Sequence, residues 1–162
     1  MDPAHLAAAR QAAVEAKRLI RAYINAEGKD QVIAGDITMA QMWSTTAQLA
    51  IDARPSIRFA LPREGFPLAC DNLVILRESR REELALEFLD YLLRPDVAAR
   101  NATAVRSTTP NAGALALLAP AIRASPVLYP SPEELARGQW FEALPPDGQK
   151  LRDRIWTEIK SA

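Results

Sequence analysis

The sequence predicts an α/β body in which helices outnumber strands. Three observations carry this reading. The block Asn72-Leu73-Val74-Ile75-Leu76 is the most continuous apolar run of the chain, the pattern of a strand covered on both faces in a parallel or mixed sheet. Around it, several stretches place apolar residues three and four apart, as helices do. A chain of 162 residues that is 49% hydrophobic has the length and interior of one globular domain. The balance is uneven, with roughly three strands against six or seven helices, few for a domain built on a central sheet.

Taken in order, Pro3 to Asn25 reads as a helix capped by Asp2, with Pro3 in its first turn and Leu6, Ala13, Val14, Lys17, Ile20 and Ile24 on one stripe. Gly28 is expected to end it. Ile37, Met39 and Met42, after Gly35-Asp36, form a short strand-like run, and Thr45 to Asp52 reads as a helix. Ser56 to Leu61 alternates, with Ile57, Phe59 and Leu61 on one face of a second strand. The buried strand at 72–76 leads through a mixed-charge turn, Arg77 to Glu82, into a helix over Glu83 to Leu93 with Leu84, Leu86, Phe88, Leu89 and Leu92 at helical spacing. Arg94-Pro95-Asp96 breaks that helix and starts another, because proline lacks a donor and restricts the residue before it. After Thr109-Pro110-Asn111 come short helices punctuated by Pro120, Pro126, Pro130 and Pro132. Pro145 and Pro146 precede a final helix through Ile155, Trp156 and Ile159.

Composition excludes much chemistry. Lys+Arg and Asp+Glu both number 20, so the basic excess of a nucleic-acid binder is absent. No apolar run approaches the roughly 18 residues of a membrane-spanning helix. Met1 to Arg10 lacks the apolar stretch of a signal peptide. Cys70 is the only cysteine and His5 the only histidine, which argues against an internal disulfide, a metal site and a histidine-based triad. The glycines do not fall in a phosphate-cradling pattern, and no serine sits in a nucleophile elbow. The chain is expected to be neither an enzyme nor a holder of any cofactor.

A few residues stand out. Asp71 opens the predicted strand, where ligands of open sheets bind, or else serves as a turn or cap residue. Trp43 opens a helix; its plainer reading is a core tryptophan, and the alternative is the wall of a cation site. Tyr129 and Trp140 read as packing aromatics, Cys70 as a small buried residue, and Glu78 to Glu83 as a solvated turn.

Taken in order, Met42-Trp43-Ser44, Leu61-Pro62-Arg63-Glu64-Gly65, Asp71-Asn72-Leu73-Val74-Ile75, Phe88 to Ala98, Thr109-Pro110-Asn111, Leu128-Tyr129-Pro130 and Asp153 to Lys160 resemble the periplasmic spermidine/putrescine-binding proteins of bacterial ABC transporters. The resemblance spans the chain but matches only the C-terminal half of that family. It implies an incomplete fold of the periplasmic binding protein type II kind, helix-rich with few strands, in which residues 1–69 belong to the second lobe. Residues 70–108 would cross to the first lobe, and 109–162 would return. It further implies periplasmic location, a membrane permease as partner, and a polyamine or other small cationic amine as ligand. Trp43 matches a wall tryptophan and Asp71 the aspartate that grips an amine.

Three positions depart from the family's pattern. Ala69 stands where an aromatic wall is typical, Ser107 replaces a tyrosine, and Phe141 occupies a position expected to be polar. Since one aspartate cannot offset the two or three ammonium groups of a polyamine, the expectation is weak amine binding by this chain alone. A second reading is a non-transport module that associates with itself, as a homodimer, or with another partner through surfaces left open in an incomplete fold.

Overall fold

The computed structural model describes residues 3–25 and 27–162, so the cap expected at Asp2 lies outside the described residues. The chain gathers into two compact units, Met1–Ile24 with Phe141–Ala162, and Asn25–Trp140. Among the described residues there are nine helices and two strands, more helices and fewer strands than the sequence predicts.

The first unit pairs α1 (Pro3–Lys17) with α9 (Pro146–Ser161). Helix α1 stops well short of Asn25. Its alanine-rich body has high helix propensity, whereas Ile20, Tyr23, Ile24 and Asn25 have less, and the end tightens through Leu19 N–H to Ala16 O and Ile20 N–H to Lys17 O. Arg10 meets Glu158 at 2.6 Å, Lys17 Nζ donates to the Lys160 carbonyl, and the Tyr23 ring sits edge-on to Trp156 at 4.9 Å. Ile159 is the buried residue of α9.

In the second unit, α2 (Glu27–Ala34) contains Gly28 in its first turn, so Gly28 does not end the preceding helix. The helix-stopping glycine is Gly35, at a φ of 89° that side chains rarely adopt. Helix α3 (Ser44–Ala53) forms as predicted, buries Ala47 and Ala50, and packs beside α2, to which a bond from Arg54 Nη1 to Ile33 O ties it.

None of the three predicted strands forms. Ile37 to Met42 is irregular. Over Ser56 to Leu61 the alternation survives as burial, with Ile57, Phe59 and Leu61 half-buried and Arg58 and Ala60 exposed, yet no ladder pairs it. The ladder lies further on: β1 (Phe66–Leu68) runs parallel to β2 (Gly138–Trp140), Phe66 opposite Gly138 and Leu68 opposite Trp140. The apolar run Asn72–Leu76 is irregular and exposed except for the half-buried Ile75, with Val74 at 76%. A strand covered on both faces needs neighbours on its edges and a layer on each side. Among the described residues the one sheet is β1–β2, and it does not extend to this run.

Helix α4 (Glu82–Leu93) and α5 (Pro95–Val105) meet at the predicted break, with Pro95 in the first turn of α5 and the Arg94 guanidinium bonded to both Asp96 carboxylate oxygens at 3.2 Å. Helix α4 half-buries Ala85, Leu89 and Leu92 and leaves Leu84, Leu86, Phe88, Tyr91 and Leu93 exposed. The core lies beyond it. Ala99 and Ala102 of α5 meet Ala114 of α6 (Ala112–Leu115) and Leu118, with Ile122 of α7 (Pro120–Arg123) and Tyr129 packed around them. Small side chains let these backbones approach closely. Tyr129 packs as predicted, and its hydroxyl accepts from the Thr109 N–H at 3.3 Å. Asn111 caps α6 by accepting from the Ala114 N–H and donates its amide to the Leu93 carbonyl, so Thr109-Pro110-Asn111 fastens the end of α4 to the start of α6. Ser131 and Glu134 close a capping box on the short α8 (Pro132–Leu135).

Candidate ligand-binding site

Trp43 is the N-cap residue of α3, with extended backbone (φ −64°, ψ 148°). Indole carries no acceptor, so the ring caps nothing; the Trp43 carbonyl accepts from the Ala47 N–H at 2.9 Å. The core reading of Trp43 is corrected by its 54% exposure. An N-cap residue sits outside helical φ/ψ, so its side chain does not join the stripe through which Ala47 and Ala50 are buried.

Asp71 does not open a strand, because none forms at 72–76. It stands instead just beyond the C-terminal end of β1, the end of a parallel strand at which α/β folds bind ligands. The turn there is held by its neighbours: Asn72 Nδ2 donates to the Cys70 carbonyl at 2.9 Å, and the Cys70 thiol approaches the Asp71 carbonyl at 3.6 Å. The Asp71 carboxylate takes no part in this, is exposed, and joins no ion pair among the described residues. Cys70 is exposed, not buried, since the unpaired run after it provides no cover.

Ala69 directly follows β1 and is exposed, so Ala69 and Asp71 share one strand end. Ser107 is half-buried and leaves the C-terminus of α5, its N–H donating to the Ala102 carbonyl at 3.1 Å. Phe141 belongs to the first unit, follows β2 in the chain, and is exposed. Trp140 is exposed as well, which corrects its packing reading: β2 is three residues long and leaves the ring uncovered. No hydrogen bond or ion pair joins Trp43, Asp71 and Ser107 among the described residues.

A polar chain in the second unit is marked by no motif of the sequence. Asp52 on α3 accepts from Gln48 at 2.8 Å and from Arg106 at 2.6 Å, and Gln48 accepts from the Ser125 hydroxyl at 2.6 Å. The Arg106 hydrogen bond, opposed by partial burial and aided by Gln48, holds the Asp52 carboxyl below the ordinary aspartate range. Gln48 and Asp52 are four apart on a predicted helix, a spacing that was visible, whereas Arg106 lies too far along the chain to be paired by inspection.

A free carboxylate and an exposed indole face are the two elements that recognise an ammonium group. A shallow depression of about 370 Å³ lined by Val74, Ile75, Leu76, Glu78, Ser79 and Ala85 is mainly apolar and includes neither. Among the described residues no three His, Cys, Asp or Glu side chains group as a metal site, and no helix is long and apolar enough to cross a membrane.

The class of the protein is that of solute-binding proteins. Residues 2–128 match the bacterial extracellular solute-binding protein family, and the chain belongs to it. It is 32% identical to the putrescine/cadaverine-binding protein of Pseudomonas aeruginosa, over 98% of this chain and 47% of the relative. It is 28% identical to the spermidine/putrescine-binding periplasmic protein of Salmonella typhimurium, over 99% of this chain and 46% of the relative. The putrescine/agmatine-binding protein of Pseudomonas aeruginosa is 26% identical, over 99% of this chain and 45% of the relative. The chain thus spans about half the length of these curated relatives. The resemblance read from the sequence is borne out, and so is a helix-rich, strand-poor chain consistent with an incomplete type II fold.

Proposed function

We propose that this chain acts as the C-terminal half of a polyamine-type solute-binding protein of an ABC transporter, working in the periplasm and delivering its ligand to a membrane permease. Its ligand is a small cationic amine, captured without chemistry in a cleft between two lobes that close by a hinge. In this reading residues 1–69 belong to the second lobe, 70–108 cross to the first, and 109–162 return. The observation that carries it is the match to a putrescine/cadaverine-binding relative over 98% of the chain.

Asp71 supplies the charge and Trp43 the wall. Trp43 stands at the N-terminus of α3, where the helix dipole disfavours a cation by about 0.3–1 kcal/mol. An exposed cation–π contact returns about 0.5–1 kcal/mol, so the two nearly cancel and the carboxylate decides the affinity. One aspartate cannot offset two or three buried ammonium groups, so this chain alone binds amines weakly. Ala69, Ser107 and Phe141, where bulkier aromatic or polar groups are the pattern, favour a ligand other than spermidine. The test is calorimetry on this chain fused to the portion of the Pseudomonas putrescine/cadaverine-binding protein that it does not span. Heat with putrescine, cadaverine or agmatine, and none for the chain alone, is the expected result; a silent fusion overturns the assignment.

The exposure of Leu73, Val74 and Leu76, together with the apolar outer residues of α4, favours one second reading, a chain that associates with itself through this surface.

A further inference from the structure

Beside the Arg54–Ile33 bond to α2, two side-chain bonds fix how α3 sits in its unit. One ties Asp52, in the last turn, to Arg106 at 2.6 Å, and the other ties Gln48, one turn earlier on the same face, to the Ser125 hydroxyl at 2.6 Å. Gln48 also donates to the second Asp52 oxygen at 2.8 Å, so the carboxylate is engaged through both oxygens. Two tethers spaced a turn apart stop a helix from rolling about its axis as well as from sliding. A helix is stiff, so a constraint on its C-terminal turns is felt at its N-cap, which is Trp43.

Arg106 is unusual in its own right. Among the described non-glycine residues it is the one with positive φ, at 54° with ψ 41°, in the left-handed cap position that glycine or asparagine usually fills. Its N–H and that of Ser107 both close on the Ala102 carbonyl, so this turn sets the direction in which Ser107 leaves α5. The same residue's guanidinium reaches Asp52 and also donates to the Thr103 carbonyl at 2.7 Å. A glycine would make the turn more easily but could not reach α3.

We propose that Arg106 and Asp52 are positioning residues that hold Ser107 and the Trp43-bearing helix in one fixed relation. The inference rests on the reading of Trp43 and Ser107 as ligand-facing, and it adds two residues that touch no ligand. It explains an arginine at a glycine-type cap and a carboxylate saturated by partners from two elements.

The test uses W140F/W156F, which leaves Trp43 as the sole tryptophan. In that background R106G keeps the left-handed turn and removes the tether, and D52N keeps the shape and removes the charge. The expected result is that both raise acrylamide quenching of Trp43 by about twofold while the thermal unfolding midpoint moves by only a few degrees. The charge swap D52R/R106D is expected to bring quenching back toward the parent value. Unchanged quenching in folded R106G and D52N overturns the proposal, as does a change that only tracks loss of far-UV helicity. Should R106G fail to fold, R106N, which also suits the left-handed turn and is too short to reach Asp52, provides the same reading. The amine-binding assignment is separated by titrating putrescine into the fusion: tethers that move Trp43 in a fusion without amine binding leave the positioning role standing and remove the ligand.

Discussion

Leu68 lies across Gly138 so closely that a β-carbon on Gly138 would stand 2.6 Å from Leu68 Cδ1 and 2.7 Å from Cγ. Its third neighbour, the Leu135 carbonyl at 3.1 Å, is backbone and cannot swing away. The β1–β2 ladder thus depends on the absence of one side chain. Gly138→Ala is expected to destabilise that unit by about 1–3 kcal/mol, read as a lower urea midpoint with unchanged slope. Adding Leu68→Ala to Gly138→Ala removes the side-chain part of the clash and leaves only the Leu135 carbonyl, so the double variant should lose less than the sum of the two singles. Simple additivity would show that the contact is not the cause.

Asp71 and Trp43 separate stability from binding. Among the described residues the Asp71 carboxylate has no hydrogen-bond or ion-pair partner to lose, so Asp71→Asn is expected to change unfolding free energy by less than about 0.5 kcal/mol. In the fusion with the remainder of the Pseudomonas relative, the same change is expected to weaken putrescine binding by well over about tenfold, because a charge-assisted pair becomes a neutral one. Trp43→Ala is expected to cost several-fold in affinity beside a small loss of stability. Unaltered affinity in Asp71→Asn would remove it from the site.

Acid unfolding tests the Asp52–Arg106 pair. Hydrogen bonding from Arg106 lowers the Asp52 pKa in the folded protein, against partial burial that raises it. A depressed folded value means the contribution is complete above the unfolded pKa of about 3.9 and disappears as pH falls through the folded value. The parent should therefore lose stability from about pH 4 downward more steeply than Asp52→Asn, whose neutral amide does not titrate. The pair is more than a third exposed, so the difference in slope is modest. Parallel acid curves for parent and variant would show that the pair adds nothing measurable.

What the sequence disclosed depended on how local each signal was. The break at Arg94-Pro95-Asp96 is written in proline's own geometry, and the structure places α4 and α5 on either side of it. Thr45 to Asp52 likewise needed only its own periodicity to be read as α3. The strands failed because a strand exists only with a neighbour. Ser56 to Leu61 has the alternation and no partner, while Phe66–Leu68, carrying a proline, found one at Gly138–Trp140 far along the chain. In the candidate site, residue type was legible and setting was not. Trp43 is in solvent because it is an N-cap, and Asp71 follows a different strand from the one expected. Arg106 was beyond reach, since a left-handed arginine, costing about 1–2 kcal/mol of backbone strain, is held there by a contact that no local pattern announces.

The same dependence on neighbours shapes the behaviour expected of this chain in solution. Leu73, Val74 and Leu76 carry the side chains of a buried strand on an unpaired, exposed backbone, and Phe88 on α4 adds an aromatic ring at 58% exposure. Unpaired backbone and apolar side chains together invite pairing with another chain. The lone chain is therefore expected to show a mass that rises with concentration in light scattering. Val74→Lys puts a charge in the middle of the run, where burial against a second chain would strand it, and is expected to return the mass to that of a monomer. The stability of the second unit should hardly change, because Val74 is 76% exposed. Fusion to the portion of the Pseudomonas relative that this chain does not span gives the contrasting measurement. If that portion covers the run, the fused protein is monomeric without any substitution, and Val74→Lys destabilises it. A fusion that still self-associates and is suppressed by Val74→Lys favours the homodimer reading over the transport one. A lone chain that stays monomeric at every concentration rules out association through this surface.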